Sequence, residues 1–402
     1  MKPWLTIIGI GDDGLAGLAP AARATLETAE VIVGGARHLA MAPPSAAERV
    51  AWGQPFADSI GAIEARRGRR VVVLASGDPM WFGAGAMLCR HFPREAMLIL
   101  PHPGAFSLAA ARLGWPLAEC LTLSLHGRPL DALCLHLAEG RRLMILSEDG
   151  ATPEAVATSL TQAGWGPSRM TVLEHLGGAA EAVHSAMAAD WGERRTADLN
   201  TIALECHAVA GRRGLPRLAG LPDDAFEHDG QLTKHEIRAA TLAALAPLPG
   251  ELLWDVGAGC GSIAIEWLRA ADQMSAIAIE RNSARAAMIA RNAATLGVPG
   301  LEIVQRTAPA ALVGLAAPDA VFVGGGLADP ALLPALWQAL KPGGRLVGNV
   351  ISTEGERALY EWQARHGGAL TRFAISRAEK LGGHLGWRAL APVTQLAVTK
   401  PG

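Results

Sequence analysis

The stretch Asp255-Val256-Gly257-Ala258-Gly259-Cys260-Gly261-Ser262 decides the fold of the second half of the chain. It follows the apolar stretch Leu252-Leu253-Trp254 and precedes an apolar, helix-like stretch from Ile263 to Leu268. Strand, glycine turn and helix in this order are typical of a nucleotide-type binding site, because glycine lets the backbone turn tightly and pass close to a ligand.

The glycine loop by itself is compatible with two kinds of cofactor and with none. A dinucleotide-binding fold is one alternative, since the acidic Glu280 ends the next apolar stretch, and a glycine turn that binds nothing is another. Three features favour S-adenosylmethionine (SAM): Asp255 before the loop, the glycine-ended stretch 318–326, and the stretch 340–347 with its Lys-Pro-Gly-Gly turn. In that order they resemble the class I SAM-dependent methyltransferases, which have a Rossmann-like fold.

Apolar segments of the second half alternate between strand-like and helix-like periods. The pattern predicts helices near 234–246, 262–271, 283–296, 329–340 and 354–366, and strands near 252–256, 276–280, 301–305, 319–324 and 345–350. Such alternation predicts a doubly wound parallel α/β sheet. Two more strands, 369–376 and 388–399, fit the terminal antiparallel hairpin of the class I family.

The length of 402 residues exceeds the usual size of a single hydrophobic core, so we expect two domains. A stretch rich in Gly, Pro and charge interrupts the apolar pattern after Ala208. We therefore predict a first domain at 1–207, a linker at 208–229 and a second domain at 230–402.

Composition narrows the possible functions. The net charge of −2 and the pI of about 6.6 give no broad basic field for nucleic acid. Apolar runs are too short to span a bilayer or to form a signal peptide, so we expect a cytoplasmic protein without membrane contact. The five cysteines and twelve histidines show no metal-binding spacing, and no metal site is predicted.

The first half is also α/β, but its glycine loops are of another kind. Strand-like stretches lead into 9–14 (Gly-Ile-Gly-Asp-Asp-Gly), into 75–85 with Ser-Gly-Asp-Pro, and into 103–111 with Pro-Gly-Ala-Phe-Ser. These blocks resemble the class III methyltransferases that modify tetrapyrroles, whose domain has two α/β subdomains. The first loop departs from that family's Gly-x-Gly-Pro-Gly pattern, since it lacks the proline and has one extra acidic residue. The resemblance therefore does not define the shape of that loop.

A class III domain followed by a class I domain is an unusual pairing. The stretch Thr233–Arg238 also resembles the first helix of decarboxylating precorrin methyltransferases. The chain as a whole resembles the bifunctional precorrin methyltransferases of aerobic cobalamin biosynthesis. This resemblance implies SAM-dependent methylation of C5 by the first domain, methylation of C15 with decarboxylation of the C12 acetate by the second, and one SAM per domain, two per chain.

The resemblance also assigns cofactor-binding residues. In the second domain the glycine loop would face the methionine part of SAM, and Glu280 would accept the ribose hydroxyls. Asp255 would act through the loop or on the methionine ammonium, and the alternative is that it only caps the following turn. The second-domain set is Thr233, Asp255, Gly257, Ala258, Gly259, Gly261, Glu280 and Ala308. The first-domain set, for which a simple turn at Asp78-Pro79 is the alternative, is Gly77, Asp78, Trp81, Phe106 and Ser107.

The expected substrate, a small-molecule tetrapyrrole, bears many carboxylates, so cationic side chains should surround it. The candidates are Arg345, Arg377, Lys380 and Arg388, and the segment 376–384 is the expected lid. No catalytic triad or carboxylate pair is visible, and the catalytic residues stay unassigned. A strong base is not required, because an enamine-like methine carbon attacks an activated sulfonium once the two are aligned.

We expect the chain to form a homo-oligomer. Two alternatives to the function given above remain open. The altered first loop leaves open a regulatory first half that has lost its cofactor. A methyltransferase for RNA or protein would need a basic groove or an Asn-Pro-Pro-Tyr-like motif, and the corresponding place holds Val323-Gly324-Gly325-Gly326.

Overall fold

The computed structural model describes residues 3–402, which form two compact units. The first unit comprises the chain up to Leu130 together with Ala138–Arg213, and the second comprises Asp131–Leu137 and Gly214–Gly402. Residues 214–229, which composition marks as linker, are packed onto the second unit, where Leu221 and Phe226 are buried in its core. The short segment 131–137 also lies with the second unit, because Gly297 makes room for the backbone of Leu135.

The first sheet of the first unit is entirely parallel. Its strands are β1 (Leu5–Ile10), β2 (Val31–Gly34), β3 (Glu48–Ala51), β4 (Val71–Ser76) and β5 (Met97–Leu100), and its helices are α1 (Pro20–Glu27), α2 (Ala36–Met41), α3 (Phe56–Glu64), α4 (Ala84–Leu88) and α5 (Ala105–Leu113). The strand order is β3-β2-β4-β1-β5. The three central strands β1, β2 and β4 are covered on both faces and accordingly consist almost entirely of buried residues, whereas the edge strand β3 alternates between half-buried and exposed residues.

The second sheet of the first unit is mixed. It contains β6 (Cys120–Ser124), β7 (Arg142–Leu146), β8 (Arg169–Glu174), β9 (Ala182–Met187) and β10 (Asn200–Glu205), with helix α6 (Thr152–Gln162) after β7. The order is β6-β7-β10-β8-β9, and only the β6–β7 pair is parallel. The two subdomains expected for a class III methyltransferase are thus both present.

The second unit is built on a seven-stranded sheet. Its strands are β11 (Leu252–Val256), β12 (Ser275–Ile279), β13 (Glu302–Val304), β14 (Ala320–Val323), β15 (Arg345–Val350), β16 (Ala369–Phe373) and β19 (Val393–Thr399), and its helices are α7 (His235–Leu245), α8 (Ser262–Ala270), α9 (Ser283–Thr295), α10 (Leu332–Ala339) and α11 (Thr353–His366). The order β13-β12-β11-β14-β15-β19-β16 is parallel except at β19, which pairs antiparallel with both neighbours. The predicted Rossmann-like sheet with an antiparallel end is confirmed.

A separate two-stranded hairpin lies between β16 and β19. It consists of β17 (Ser376–Leu381) and β18 (His384–Ala389), joined by Gly382-Gly383. The strand predicted over 388–399 is instead divided between β18 and β19, and the segment 376–384, expected as a loop that forms a lid, is largely strand. Most side chains of β18 are exposed, so no alternation of apolar and polar residues marked it as a strand.

Strand alternation directs the side chains of β11 to opposite faces of its sheet. Leu253 joins the core formed with α7, α8 and α9, whereas Trp254 and Val256 join the core under α10 and α11. Asp255, two residues after Leu253, therefore faces α8. None of the helices formed by residues 3–402 combines the length and the apolar character needed to cross a bilayer.

Candidate functional site

A pocket of about 740 Å³ opens at the carboxyl ends of the strands of the seven-stranded sheet. The loops that follow five consecutive parallel strands, β11 to β15, all line it, and so does the segment 230–234 before α7. Open α/β sheets place their ligands at this edge, and the volume is in the range of cofactor sites. The position and size of the pocket fit a nucleotide-type cofactor with part of a second ligand.

The glycine loop after β11 forms the floor of this pocket. Gly257 and Gly259 have φ values of 71° and 62°, which side-chain-bearing residues rarely adopt. A Cβ atom on Gly257 would lie 3.0 Å from the backbone nitrogen of Gly325, so the two glycine loops approach each other closely. The loop thus presents bare backbone to the pocket, as a cradle for a ligand requires.

Glu280 lies directly after β12 and is only 5% exposed. Its Oε2 accepts a hydrogen bond from the Gly259 N–H at 3.0 Å, and its Oε1 accepts one from the Asn282 N–H at 2.9 Å. Each carboxylate oxygen keeps a second lone pair, so both can still accept a hydroxyl of a ribose. The pocket brings together six of the residues predicted for the second domain, Thr233, Gly257, Ala258, Gly259, Glu280 and Ala308.

Two other predicted residues, Asp255 and Gly261, do not line the pocket. Asp255 is fully buried, and its Oδ2 accepts the Ala264 N–H at 3.0 Å in the first turn of α8. Burial raises the pKa of this carboxyl to about 7. The structure thus supports the capping alternative. Gly261 is the N-cap residue before α8 and has a φ of 80°; a Cβ there would lie 2.9 Å from the side chain of Ile289 in α9.

Arg345 does not belong to a substrate pocket at this edge. It is the first residue of β15, so it lies at the amino-terminal edge of the parallel strands, whereas the pocket lies at the carboxyl edge. Its Nη1 donates to Glu251 Oε1 at 2.7 Å, and its Nε donates to the Leu245 carbonyl at 2.8 Å. This arginine stabilises the loop between α7 and β11.

The three other predicted cations lie on the β17–β18 hairpin and outside the pocket lining. Arg377 donates to Glu236 Oε1 at 2.9 Å and to Asp223 Oδ2 at 3.1 Å, and it holds the pKa of Glu236 down at about 2. Arg388 pairs with Glu379 at 3.1 Å, and Lys380 is exposed. The expectation that these side chains surround the substrate is therefore not supported; Arg377 instead fastens the hairpin to the start of α7.

The cationic side chains that do line the pocket are Lys234, Arg281, Arg285 and Arg306. Arg285 is paired with Asp229 at 2.8 Å. Arg281 follows Glu280 beyond β12, and Arg306 lies two residues beyond the end of β13. The position of a cation relative to the predicted strands would have identified Arg281 and Arg306. A cation just after a parallel strand lies at the ligand edge of the sheet, whereas a cation that begins a strand lies at the opposite edge.

In the first unit, the three predicted glycine loops converge. A Cβ atom on Gly9 would overlap the Gly77 carbonyl and would lie 2.7 Å from the His102 nitrogen. Gly77 has a φ of 54°, and a Cβ there would lie 2.7 Å from the Gly104 Cα. The loops after β1, β4 and β5 are therefore in backbone contact at the carboxyl edge of the first sheet, the edge at which open α/β sheets place ligands. This group of Gly9, Gly77 and Gly104 is called the first cradle, and the glycine loop of the second unit the second cradle.

The remaining first-domain residues differ in exposure. Asp78 Oδ1 accepts the Met80 N–H at 2.9 Å, so Asp78 forms a turn, which is the stated alternative to cofactor binding at this position. This hydrogen bond does not involve Oδ2 of Asp78. Trp81 is 51% exposed and Ser107 is also exposed. Phe106 is 5% exposed and packs edge-on against Phe82, so its ring belongs mainly to the core.

A charged cluster that the sequence did not reveal lies at the same edge. His175 Nδ1 is 2.9 Å from Asp12 Oδ2, and Arg37 Nη1 donates to Asp12 Oδ1 at 3.0 Å. Arg37 and His38 also contact the Ser76 hydroxyl, at 3.1 and 3.0 Å. Burial and the neighbouring Arg37 lower the pKa of His38 to about 4. Asp12 is one of the acidic residues of the unusual first loop.

The described part of the chain, residues 3–402, contains no group of three or more His, Cys, Asp or Glu side chains arranged to hold a metal ion. The clusters of polar side chains at the two sites are instead held by hydrogen bonds and ion pairs.

Two families match separate parts of the sequence. Residues 4–190 match the family described as tetrapyrrole (corrin/porphyrin) methylases, and residues 224–400 match the precorrin methyltransferase domain. The first match falls within the first unit apart from the segment 131–137, and the second match falls within the second unit.

Relatives of known name match the chain over its whole length or over about half of it. A Sinorhizobium precorrin-6Y C(5,15)-methyltransferase (decarboxylating) is 50% identical over 401 residues, which cover 100% of this chain and 97% of the relative. A Salmonella typhimurium cobalt-precorrin-7 C(5)-methyltransferase is 33% identical over 46% of this chain and 94% of its own length. A probable cobalt-precorrin-6B C(15)-methyltransferase (decarboxylating) from Pyrobaculum calidifontis is 32% identical over 43% of this chain and 92% of its own length.

Proposed function

The chain belongs to the family of precorrin-6Y C5,15-methyltransferases (decarboxylating) of cobalamin biosynthesis, and from that premise we propose how its two units divide the reaction. The first unit methylates C5, and the second unit methylates C15 and removes the carboxyl group of the C12 acetate, in the aerobic pathway. The observation that carries this proposal is the presence of two separate glycine cradles, each at the carboxyl edge of a parallel sheet.

The names of the shorter relatives support this division. One relative, aligned over 191 residues, is named for C5 methylation alone. Another, aligned over 181 residues, is named for C15 methylation together with decarboxylation. C5 methylation is thus attributed to one protein about half as long as this chain. C15 methylation and decarboxylation are attributed together to another protein of similar length.

SAM is the methyl donor of this family, and we propose that each chain binds two molecules of it. The pocket of the second unit fits SAM because no side chain projects from its glycine floor into the space for the ligand. In addition, each carboxylate oxygen of Glu280 keeps one lone pair for a ribose hydroxyl. The backbone of 257–259 would hold the methionine part, Glu280 the ribose, and Thr233 and Ala308 the remaining rim. In the first unit the cradle of Gly9, Gly77 and Gly104 would serve the same purpose. When bound, SAM supplies an activated methyl group.

The side chains of the second pocket suit a substrate with many carboxylates. Arg281 and Arg306 are exposed at the pocket and form no ion pair with any acidic side chain of residues 3–402. Each can therefore bind an acetate or propionate without first breaking a bond within the protein. Such contacts would hold the macrocycle with its meso carbon in line for methyl transfer, which is the main requirement of the reaction.

Decarboxylation and C15 methylation are chemically compatible within one pocket. Loss of carbon dioxide from the acetate leaves an electron pair that must be delocalised into the macrocycle and then quenched by a proton. That flow of electrons raises the nucleophilicity of the neighbouring meso carbon. One bound orientation of the substrate can therefore serve both steps.

Variants of the full chain test the division of labour. Gly259→Val places a branched side chain in the second cradle. Gly77→Val disrupts the first cradle, because the new Cβ would lie 2.7 Å from the Gly104 Cα and would push the two loops apart. With SAM and tetrapyrrole substrate, we expect Gly259→Val to add one methyl group and keep the carboxyl group. Gly77→Val should add one methyl group and release carbon dioxide. Mass analysis of the products decides, and carbon dioxide release by Gly259→Val would contradict the proposal.

We further propose that the protein acts as a homo-oligomer in the cytoplasm. Leu385 and Trp387 on the β17–β18 hairpin are 75% and 77% exposed, and large apolar side chains at such exposure favour a partner surface. The five cysteines, all of which lie within residues 3–402, form no disulfide bond with one another, as is usual in a reducing compartment. Light scattering tests the association, and a mass equal to one chain at micromolar concentration would contradict it.

A further inference from the structure

A histidine–carboxylate pair lies at the ligand edge of the first unit. His175 Nδ1 is 2.9 Å from Asp12 Oδ2, and Arg37 fixes the other oxygen of Asp12 at 3.0 Å. An ionised carboxylate accepts hydrogen bonds, so Asp12 favours the tautomer of His175 with its proton on Nδ1. That tautomer leaves Nε2 as the basic nitrogen, and the side chain is 33% exposed, so the ring is held on one side and accessible on the other.

The pair adjoins the cofactor cradle proposed for the first unit. Asp12 directly follows Gly11 in the loop after β1, and Arg37 also donates to the hydroxyl of Ser76, the residue before Gly77. From the other side, Gly178 leaves room for the Asp12 carboxylate, which a Cβ at that position would overlap. His175 is therefore linked through Asp12 and Arg37 to the hydroxyl of Ser76, next to Gly77 of the cradle.

The backbone of His175 is in an uncommon conformation. Its φ of 48° lies in the left-handed region, which few residues other than glycine adopt. Its N–H donates to the Leu199 carbonyl at 3.0 Å, and the Gly178 N–H donates to the His175 carbonyl at 2.8 Å, which together hold the turn. Such conformations persist where the surrounding structure fixes them, and they are concentrated at functional sites.

We propose that His175 is the general base of the first unit and that Asp12 is its positioning residue, an inference that rests on the proposed C5 methylation. The C5 methine carbon forms a bond to the methyl group with its enamine electrons, and the carbon–sulfur bond breaks with its electron pair moving to sulfur. The macrocycle then has one positive charge, and C5 bears both a methyl group and a hydrogen. His175 Nε2 accepts that proton, the C–H electrons restore the conjugation, and solvent later deprotonates the imidazolium.

This role accounts for the departure of the first loop from its family pattern. A loop of the form Gly-x-Gly-Pro-Gly has no acidic side chain to offer. The loop of this chain places Asp12 where it meets both Arg37 and His175. The extra acidic residue thus serves a proton acceptor and leaves the glycine cradle intact.

The first test is chemical rescue in the full chain. His175→Gly suits the left-handed backbone and leaves a space that imidazole fits. We expect C5 methylation in a single turnover to fall about 100-fold or more, the usual contribution of a general base. Added imidazole should restore much of the rate. His207→Asn is the matched control, because His207 pairs with Glu139 at 2.8 Å and lies outside both sites; its rate should not change.

The second test needs no methyl donor. In D₂O with S-adenosylhomocysteine, a base and its conjugate acid near C5 should exchange the methine hydrogen of the bound tetrapyrrole for deuterium. We expect exchange with the natural chain and with His207→Asn, and little with His175→Gly or Asp12→Asn. Equal methylation and exchange in His175→Gly would overturn the assignment of His175. No C5 methylation by the natural chain would instead overturn the proposed function of the first unit.

Discussion

Glu280 shows how a single residue can serve a site in two ways. It accepts hydrogen bonds from Gly259 and Asn282, which orders the glycine loop, and it keeps lone pairs for a ribose. We predict that Glu280→Gln weakens SAM binding to the second unit by about 1–3 kcal/mol, the range for a lost charge-assisted hydrogen bond. Calorimetry on a chain whose first site is blocked by Gly77→Val measures this directly. An unchanged affinity would place the ribose elsewhere.

Asp255 is a residue whose charge opposes folding. Its pKa rises from an ordinary 3.8 to about 7 in the folded protein, so between these values the folded state binds the proton more tightly than the unfolded state does. Stability contributed by this carboxyl is therefore largest at low pH and falls by up to about 1.4 kcal/mol per unit as the pH rises from about 4 to 7.

Asp255→Asn removes that dependence on pH. The amide resembles the protonated carboxyl, and it can still accept the Ala264 N–H. We predict that the variant gains stability relative to the natural chain as the pH rises from 5 to 8, in urea unfolding at each pH. Other carboxyl groups titrate in both proteins and cancel in the difference. A difference that stays constant with pH would show that Asp255 is ionised throughout.

At the scale of elements, Arg377 attaches the β17–β18 hairpin to the start of α7. Arg377 binds Glu236 and Asp223, which belong to the start of α7 and to the segment before it. We predict that Arg377→Ala increases hydrogen exchange across β17 and β18 by at least tenfold, because a contact of more than about 1.4 kcal/mol holds the hairpin in place. The affinity for SAM should change little, since Arg377 lies outside the pocket lining.

Arg388→Ala provides the comparison for that measurement. Arg388 lies in the same hairpin and also pairs with a carboxylate, but its partner Glu379 is within the hairpin itself. Exchange in this variant should stay close to that of the natural chain. If both variants exchange alike, the hairpin does not need its attachment to α7.

The sequence predicted elements best where burial imposes a pattern. Strand β11 and the parallel strands beside it are apolar because both faces of their sheet are covered, and their bounds agree with prediction to within one or two residues. The stretch Thr233–Arg238 was identified by its motif, and the structure gives the reason, because Arg238 is fully buried and binds Glu266 and the Thr233 carbonyl.

Features that depend on contacts distant in sequence were not predictable in this way. Asp12 and His175 are 163 residues apart, and no local sequence motif around either residue indicates a contact with the other. Arg345 and Arg306 look alike in sequence, and only their positions at opposite ends of parallel strands separate a structural arginine from one at the pocket. The exposed hairpin gave no apolar period to detect.

At the scale of the whole molecule, the two units need not use the same chemistry. The first cradle is accompanied by a histidine held by a carboxylate, whereas the second pocket is accompanied by arginines without acidic partners among residues 3–402. A base suits a reaction whose last step is loss of a proton from carbon. Cationic side chains suit a reaction in which one carboxylate of the substrate must be bound while another carboxyl group of the substrate leaves as carbon dioxide.

Two independent cradles predict the stoichiometry of SAM binding. Calorimetry should give two sites for the natural chain, one for Gly77→Val, one for Gly259→Val and none for the double variant. Valine at 259 enters the pocket, valine at 77 displaces the Gly104 backbone, and both have the strain of a positive φ. Gly68→Val and Gly250→Val are matched controls: both glycines have a positive φ, with no other atoms close to their Cβ position, and neither lies in a cradle. These two variants should each keep two sites. A single site in the natural chain, unaffected by Gly77→Val, would mean that the first unit does not bind SAM and would favour the alternative of a regulatory first half.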